Sequence, residues 1–154
     1  MDDADPRPRE VGLVLGPAET DRLRGVLGSA GRTLAVDEDD RDLPDEQRLA
    51  PQLDRAEHDL IDRMLDANKA TVRLDVPVRL DPAETATVLG LLDQAAERLD
   101  AFAARRAQGQ FLIGPDWFAD QAAAARAWRA DLDQRQAERA LARREQRRGA
   151  GDAR

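Results

Sequence analysis

His58 is the only histidine in the chain, and Asp54 and Asp62 stand four residues before and after it. On a helix that spacing puts all three on one face. One imidazole and two carboxylates can hold a divalent cation. This face lies opposite the apolar stripe of its own helix, whereas a catalytic metal wants a concave, partly dry setting. We therefore read a solvated helix face, with no metal and no cofactor. Cysteine is absent, which excludes disulfides, thiol catalysis and thiolate metal sites. Acid–base catalysis needs two carboxylates whose environments separate their pKa values. Asp131 and Asp133 point to different sides of a helix, and no other pair stands out. No catalytic residue is assigned, and an enzyme is not expected.

Two further sets of residues suit binding. Trp117 and Trp128 are eleven residues apart, three helical turns, and share a face with Leu132. Tryptophan is enriched at interaction hot spots. Trp117, Trp128 and Leu132 are thus candidate partner-binding residues, against the alternative that the tryptophans anchor a core. The second set is Arg135, Arg139, Arg143, Arg144, Arg147 and Arg148, in which four-residue intervals recur. Like charges at that spacing weaken an isolated helix, and after Leu132 only Leu141 is large and apolar. The segment therefore projects from the body or lies against something anionic. Nucleic acid is one such surface, since clustered arginines meet phosphates. The acidic run Val36–Glu46, in the same chain or another copy, is a second. No aromatic residue interleaves with these arginines, so a single-strand stacking surface is not supported.

The charge balance makes the same contrast. The 154 residues carry a formal net charge of −7. Residues 135–154 hold seven arginines against three carboxylates, a net +4, which leaves −11 on the remainder. An acidic body with a basic tail calls for a partner or a pairing. Lys69 is the only lysine, so arginine is the default cation and its abundance alone says little. No stretch approaches the ~20 apolar residues of a membrane span, and Met1–Pro6 is acidic and polar, unlike a secretory signal. The cytoplasm is the expected location.

The elements that must position these residues read mainly as helices. Residues 1–10 form a disordered acidic leader. Val11, Leu13 and Leu15 alternate with Gly12 and Val14 as a short strand. Gly16–Thr20 then opens a helix, with Pro17 in the first turn where its missing N–H costs nothing. Gly25, Gly28 and Gly31 weaken that helix and admit a close neighbour. Val36–Glu46 reads as a solvated connector. A second helix runs from about Pro51 to Asn68. Strict alternation over Thr71–Leu80 gives a strand with one buried face, which Pro77 confines to an edge or breaks. Asp81-Pro82-Ala83-Glu84 is a capped helix start, and its helix runs to about Gly109. Phe111–Pro115 starts a third unit, followed by one long helix from Asp116 to about Arg148.

A shift of 65 residues aligns two of these segments. Leu15, Pro17, Ala18, Glu19, Thr20, Gly25, Leu27, Ala30 and Leu34 match Leu80, Pro82, Ala83, Glu84, Thr85, Gly90, Leu92, Ala95 and Leu99. This is read as a duplicated strand–helix unit, 11–35 and 72–100, against convergence on a good helix start. Gly16-Pro17 lacks the glycines and lysine of a nucleotide loop. Val78-Arg79-Leu80-Asp81 and the capped helix after it locally resemble the opening of a ribbon–helix–helix repressor. The predicted helix runs past the point where that fold turns, so no residue roles are carried over.

The expected fold is α+β and helix-dominated: a small three-stranded sheet with helices on one face, and a long C-terminal helix. One domain spans 11–134, with 135–154 a basic helical tail. The expected function is a non-enzymatic interaction or assembly protein, binding another protein or a second copy of itself. The alternative is a nucleic-acid-associated accessory protein acting through the Arg-rich end.

Overall fold

Each helix begins where the sequence places a proline or a cap. In the computed structural model, which describes residues 10–71, 76–108 and 115–152, the order is β1 (Leu13–Leu15), α1 (Pro17–Asp40), α2 (Ala50–Thr71), β2 (Val78–Leu80), α3 (Pro82–Arg106) and α4 (Pro115–Asp152). A short 3-10 turn, Asp45–Gln47, joins α1 to α2. Among the described residues the sheet has two strands, not three. The acidic leader before Glu10, the first half of the expected Thr71–Leu80 strand and the Phe111–Gly114 start of a third unit lie outside the described residues. Thr71 itself closes α2, and β2 begins directly after Pro77, where the missing donor ends any ladder.

The strands pair antiparallel, with Leu13 opposite Leu80, Val14 opposite Arg79 and Leu15 opposite Val78. Leu13, Leu15, Val78 and Leu80 are buried, while Arg79 is exposed. Residues of a strand alternate between faces, so the leucines and Val78 form the inner face of the sheet. Gly12 lets β1 approach β2, because a Cβ there would overlap the Leu80 carbonyl oxygen.

The helices pack as two pairs, α1 on α2 and α3 on α4, with α1 and α3 in contact between them. The core is aliphatic: Leu23, Leu27, Leu34, Leu53, Leu60, Leu92, Leu99 and Leu132 are essentially inaccessible. The glycines of α1 divide by direction. Gly28 and Gly31 face α2, where a Cβ would meet Glu57 and Leu53 respectively, whereas Gly25 has nothing within 4 Å. α3 continues unbroken to Arg106, so the local likeness to a ribbon–helix–helix opening ends with its cap.

The acidic run is not a solvated connector. α1 continues through it to Asp40, and Asp37 and Glu38 are buried. Glu38 accepts hydrogen bonds from the Leu49 N–H (2.8 Å) and the Ala50 N–H (3.1 Å) at the start of α2. A helix start leaves four N–H groups without intrahelical partners and carries positive partial charge. Glu38 answers both. Asp37 is met by Arg41 at 2.7 Å and by Arg105 of α3 at 2.8 Å. α1 then ends, with Asp42 just beyond it in the left-handed region, φ 50°. The Asp42 and Leu43 N–H groups bond back to the Asp39 and Glu38 carbonyls, a Schellman closure in which aspartate takes the usual glycine position.

Candidate functional site

The helix starts at Pro17 and Pro82 are built alike. Gly16 N–H donates to Glu19 Oε1 (3.1 Å) and Asp81 N–H to Glu84 Oε1 (3.0 Å). Thr20 and Thr85 donate Oγ1 to the Gly16 and Asp81 carbonyls, each at 2.8 Å. An arginine from a helix of the opposite pair pairs with each glutamate: Arg135 of α4 with Glu19, and Arg63 of α2 with Glu84. Burial pushes the Glu19 pKa up, but the Gly16 bond and Arg135 outweigh it and hold the group below the usual glutamate value. These groups are committed to helix starts and their tethers.

His58 is exposed, and its Nδ1 lies 2.8 Å from the Asp54 carbonyl oxygen. That bond, then the Asp54 carboxylate, raises the imidazole pKa. The residues that come together are Asp54, Glu57 and His58, within 4.8 Å, without Asp62. Glu57 is buried, and it turns across Gly28 toward α1. There Arg24 (3.8 Å) and Arg32 (3.6 Å) supply the cations. Sequence reading missed Glu57 because a lone carboxylate on an apolar stripe gives no signal of what faces it. Gly28 was half of that signal.

The residues predicted to bind a partner separate. Leu132 is fully buried in the core and has no surface to offer, because its position on α4 continues the inward stripe of Phe118, Ala122 and Ala125. Trp117 is 46% exposed and packs edge-on against Phe118, with ring centroids 5.0 Å apart. Phe118 in turn lies against Phe102 at 4.6 Å and closes the α3–α4 end of the bundle. Trp128 is half-buried in a largely apolar groove of about 380 Å³ between α1 and α4, with Val26, Ala30 and Ala124. Arg22, Gly25, Ser29 and Gln121 complete the groove, and Gln121 Nε2 donates to Ser29 Oγ at 3.0 Å across it. A second groove, about 300 Å³, lies where α2 meets α3 and β2, beside Ala56, Leu60, Val88 and Leu91.

The Arg-rich end stays on the body further than its sequence suggests. Arg135 pairs with Glu19 and with Asp131 (3.1 Å). Gln136 Nε2 donates to the Val11 carbonyl (2.8 Å) beside β1, and Ala140 is buried. Arg144 is half-buried, while Leu141, Arg143, Arg147 and Arg148 are exposed. Arg139 and Arg143 line a recess of about 310 Å³ with Gly12–Val14 and with Arg79–Pro82 and Glu84. The carboxylates Asp37 and Asp39 are met by Arg41, Arg48 and Arg105, none of them from the tail.

Comparison with protein-family models, with curated proteins and with solved structures finds no match. Among the described residues no helix is long and apolar enough to cross a membrane.

Proposed function

We propose that this chain is a non-enzymatic assembly protein that associates with a second copy of itself through the Trp128 groove and the basic end of α4. The groove carries the reading. It presents a tryptophan with Val26 and Ala124 in open apolar surface, the kind of concavity in which an interface anchor sits. Charge favours a second copy. Residues 135–154 carry +4 against −11 on the remainder. On the exposed face of α2, Asp62 and Asp66 flank the exposed Leu65 and make no ion pair among the described residues. Leu141, Arg147 and Arg148 present the complementary pattern on α4. A non-enzymatic reading is supported by the sole imidazole lying exposed on α2 beside carboxylates. The reading takes the protein to be cytoplasmic and free of cofactor.

The same reading takes the architecture to be a duplicated β–α–α unit, with pseudo-two-fold symmetry. Three observations support it. The strand register is symmetric about the pair Val14–Arg79, which is itself one 65-residue step. α1 and α3 begin 65 residues apart, as do α2 and α4. Buried Leu53, Glu57 and Leu60 of α2 correspond at that offset to buried Phe118, Ala122 and Ala125 of α4.

A second reading, nucleic-acid association, is favoured by Arg147 and Arg148, which are exposed and make no ion pair among the described residues. One experiment separates the two: multi-angle light scattering and nucleic-acid retention on the full chain, on Ala124→Glu and on a chain ending at Ala140. Self-association predicts a dimer or larger that Ala124→Glu and the truncation both weaken. A monomer at high concentration overturns it. Salt-sensitive retention on DNA or RNA that only the truncation abolishes supports the second reading.

A further inference from the structure

We infer that the recess between the sheet and α4 is a binding site for a phosphate group, held by Arg79, Arg139 and Arg143. This goes beyond the assembly reading: Arg139 and Arg143 belong to the basic end of α4 that the assembly reading also uses, but Arg79 does not, and the Trp128 groove lies elsewhere on the chain.

The charges in the recess divide into those already committed and those that are not. Three arginines and two carboxylates line it, in a space of about 310 Å³. Asp81 accepts the Glu84 N–H at 2.7 Å, and Glu84 accepts the Asp81 N–H and also pairs with Arg63. Both carboxylates are therefore hydrogen-bonded at the start of α3, and Arg63, itself paired with Asp59 at 3.2 Å, answers Glu84. The guanidinium groups of Arg79, Arg139 and Arg143 make no hydrogen bond or ion pair among the described residues, although the Arg79 carbonyl accepts from Arg63 at 3.2 Å. The recess carries uncompensated positive charge.

The placement of these arginines is tertiary. Arg79 stands on the outer face of β2, at the centre of the strand pairing. Arg139 and Arg143 are one helical turn apart on α4 and arrive there because Arg135, Gln136 and Ala140 fasten that helix beside β1. The site thus joins residues about sixty positions apart in the chain. Pro82, the first residue of α3, also borders the recess, and the Asp81–Glu84 capping box already occupies that helix end. Guanidinium forks match the geometry of phosphate oxygens and bond them in pairs. The volume suits a phosphate group and its immediate neighbours.

The phosphate can belong to a small phosphorylated molecule or to a nucleic-acid backbone, and Arg79 distinguishes the recess from a merely basic tail. The test uses calorimetric titration of the full chain with inorganic pyrophosphate, and separately with a duplex oligonucleotide. The variants are Arg79→Gln, Arg139→Gln and Arg147→Gln. Arg79 and Arg147 are exposed, so their replacement leaves the fold intact, as circular dichroism will confirm. Saturable pyrophosphate binding is expected, weakened about tenfold or more by Arg79→Gln and by Arg139→Gln, since each removes a charge-assisted contact. Arg147→Gln should leave it unchanged. Oligonucleotide binding that is also lost in Arg79→Gln assigns the phosphate to a nucleic-acid backbone, and pyrophosphate binding without it assigns a small ligand. No saturable pyrophosphate binding, or equal binding by wild type and Arg79→Gln, overturns the proposal. Oligonucleotide binding that tracks Arg147 and ignores Arg79 belongs to the end of α4 and leaves only the small-ligand assignment, which the pyrophosphate titration decides.

Discussion

Replacing Glu38 with Ala should remove more stability than any other change in the acidic run Val36–Glu46. Glu38 is 1% exposed, and its carboxylate receives the Leu49 and Ala50 N–H groups at 2.8 and 3.1 Å. A hydrogen bond to a charged group contributes about 1.5–3 kcal/mol, and a buried donor left without a partner costs a similar amount. Two such donors at the start of α2 lose their acceptor together. Water entering the space recovers part of that, so we expect a loss of about 3–5 kcal/mol. A domain of this size is stable by about 5–15 kcal/mol in total, so the variant should unfold at markedly lower denaturant. Glu38→Gln keeps one acceptor oxygen and should lose less. Asp40→Ala, two residues on and exposed, should change stability by no more than about 0.5 kcal/mol, as surface substitutions do. Urea unfolding followed by tryptophan fluorescence and far-ultraviolet circular dichroism measures all three. If Glu38→Ala unfolds at the same urea concentration as Asp40→Ala, Glu38 does not cap α2 and the account of this run is wrong.

The glycines of α1 give a test in which the effect changes with direction. Gly25→Ala meets nothing and should stabilise by up to about 1 kcal/mol through helix propensity, while Gly28→Ala displaces the buried Glu57 carboxylate from Arg24 and Arg32 and should lose that gain or more; a thermal midpoint raised as much by Gly28→Ala as by Gly25→Ala would refute the packing described. Gly12→Ala, whose methyl would meet the Leu80 backbone, should be worse than either. His58 is more basic in the folded chain than an ordinary histidine side chain, first through its Asp54 carbonyl bond. Its contribution to stability is therefore full below about pH 6.5 and disappears as pH rises through the folded value. An imidazole titration by NMR should have its midpoint above about 6.5, and a midpoint at or below that value would contradict the geometry. Glu19 has the opposite sign: its contribution is present above the ordinary glutamate value and lost as pH falls through the depressed folded one, so Arg135→Gln should raise the Glu19 midpoint.

Much of the architecture follows from information local in the chain. Pro17 and Pro82 with Glu19 and Glu84 mark two helix starts because a cap needs only residues within one turn. The stripe Leu53, Ala56, Leu60 and Met64 shows which way α2 faces, and the alternation Val78-Arg79-Leu80 shows which side of β2 is wet. The 65-residue offset was visible for the first helix of each pair. For the second it was not, because α2 and α4 share burial positions and almost no residue types.

The tertiary structure decided everything that depends on what stands opposite. A sequence of carboxylates cannot reveal that Glu38 meets the orphan N–H groups of α2, that Asp37 meets Arg105, or that Glu57 lies over Gly28 between two arginines. Strands of three residues with no hairpin turn between them do not set their own register, so the pairing of Val14 with Arg79 awaited the packing of the helices. Leu132 and Trp128 share a stripe in sequence, yet one closes the core and the other lines a groove, because α1 covers only part of α4. The arginines of the C-terminal helix were legible as a basic run. That Arg139 and Arg143 join Arg79 in one recess, while Arg147 and Arg148 extend away from the fold's contacts, depends on Gln136 and Ala140 holding α4 beside β1. Periodicity and caps are properties of neighbouring residues, and the fate of a charge depends on neighbours that only folding supplies.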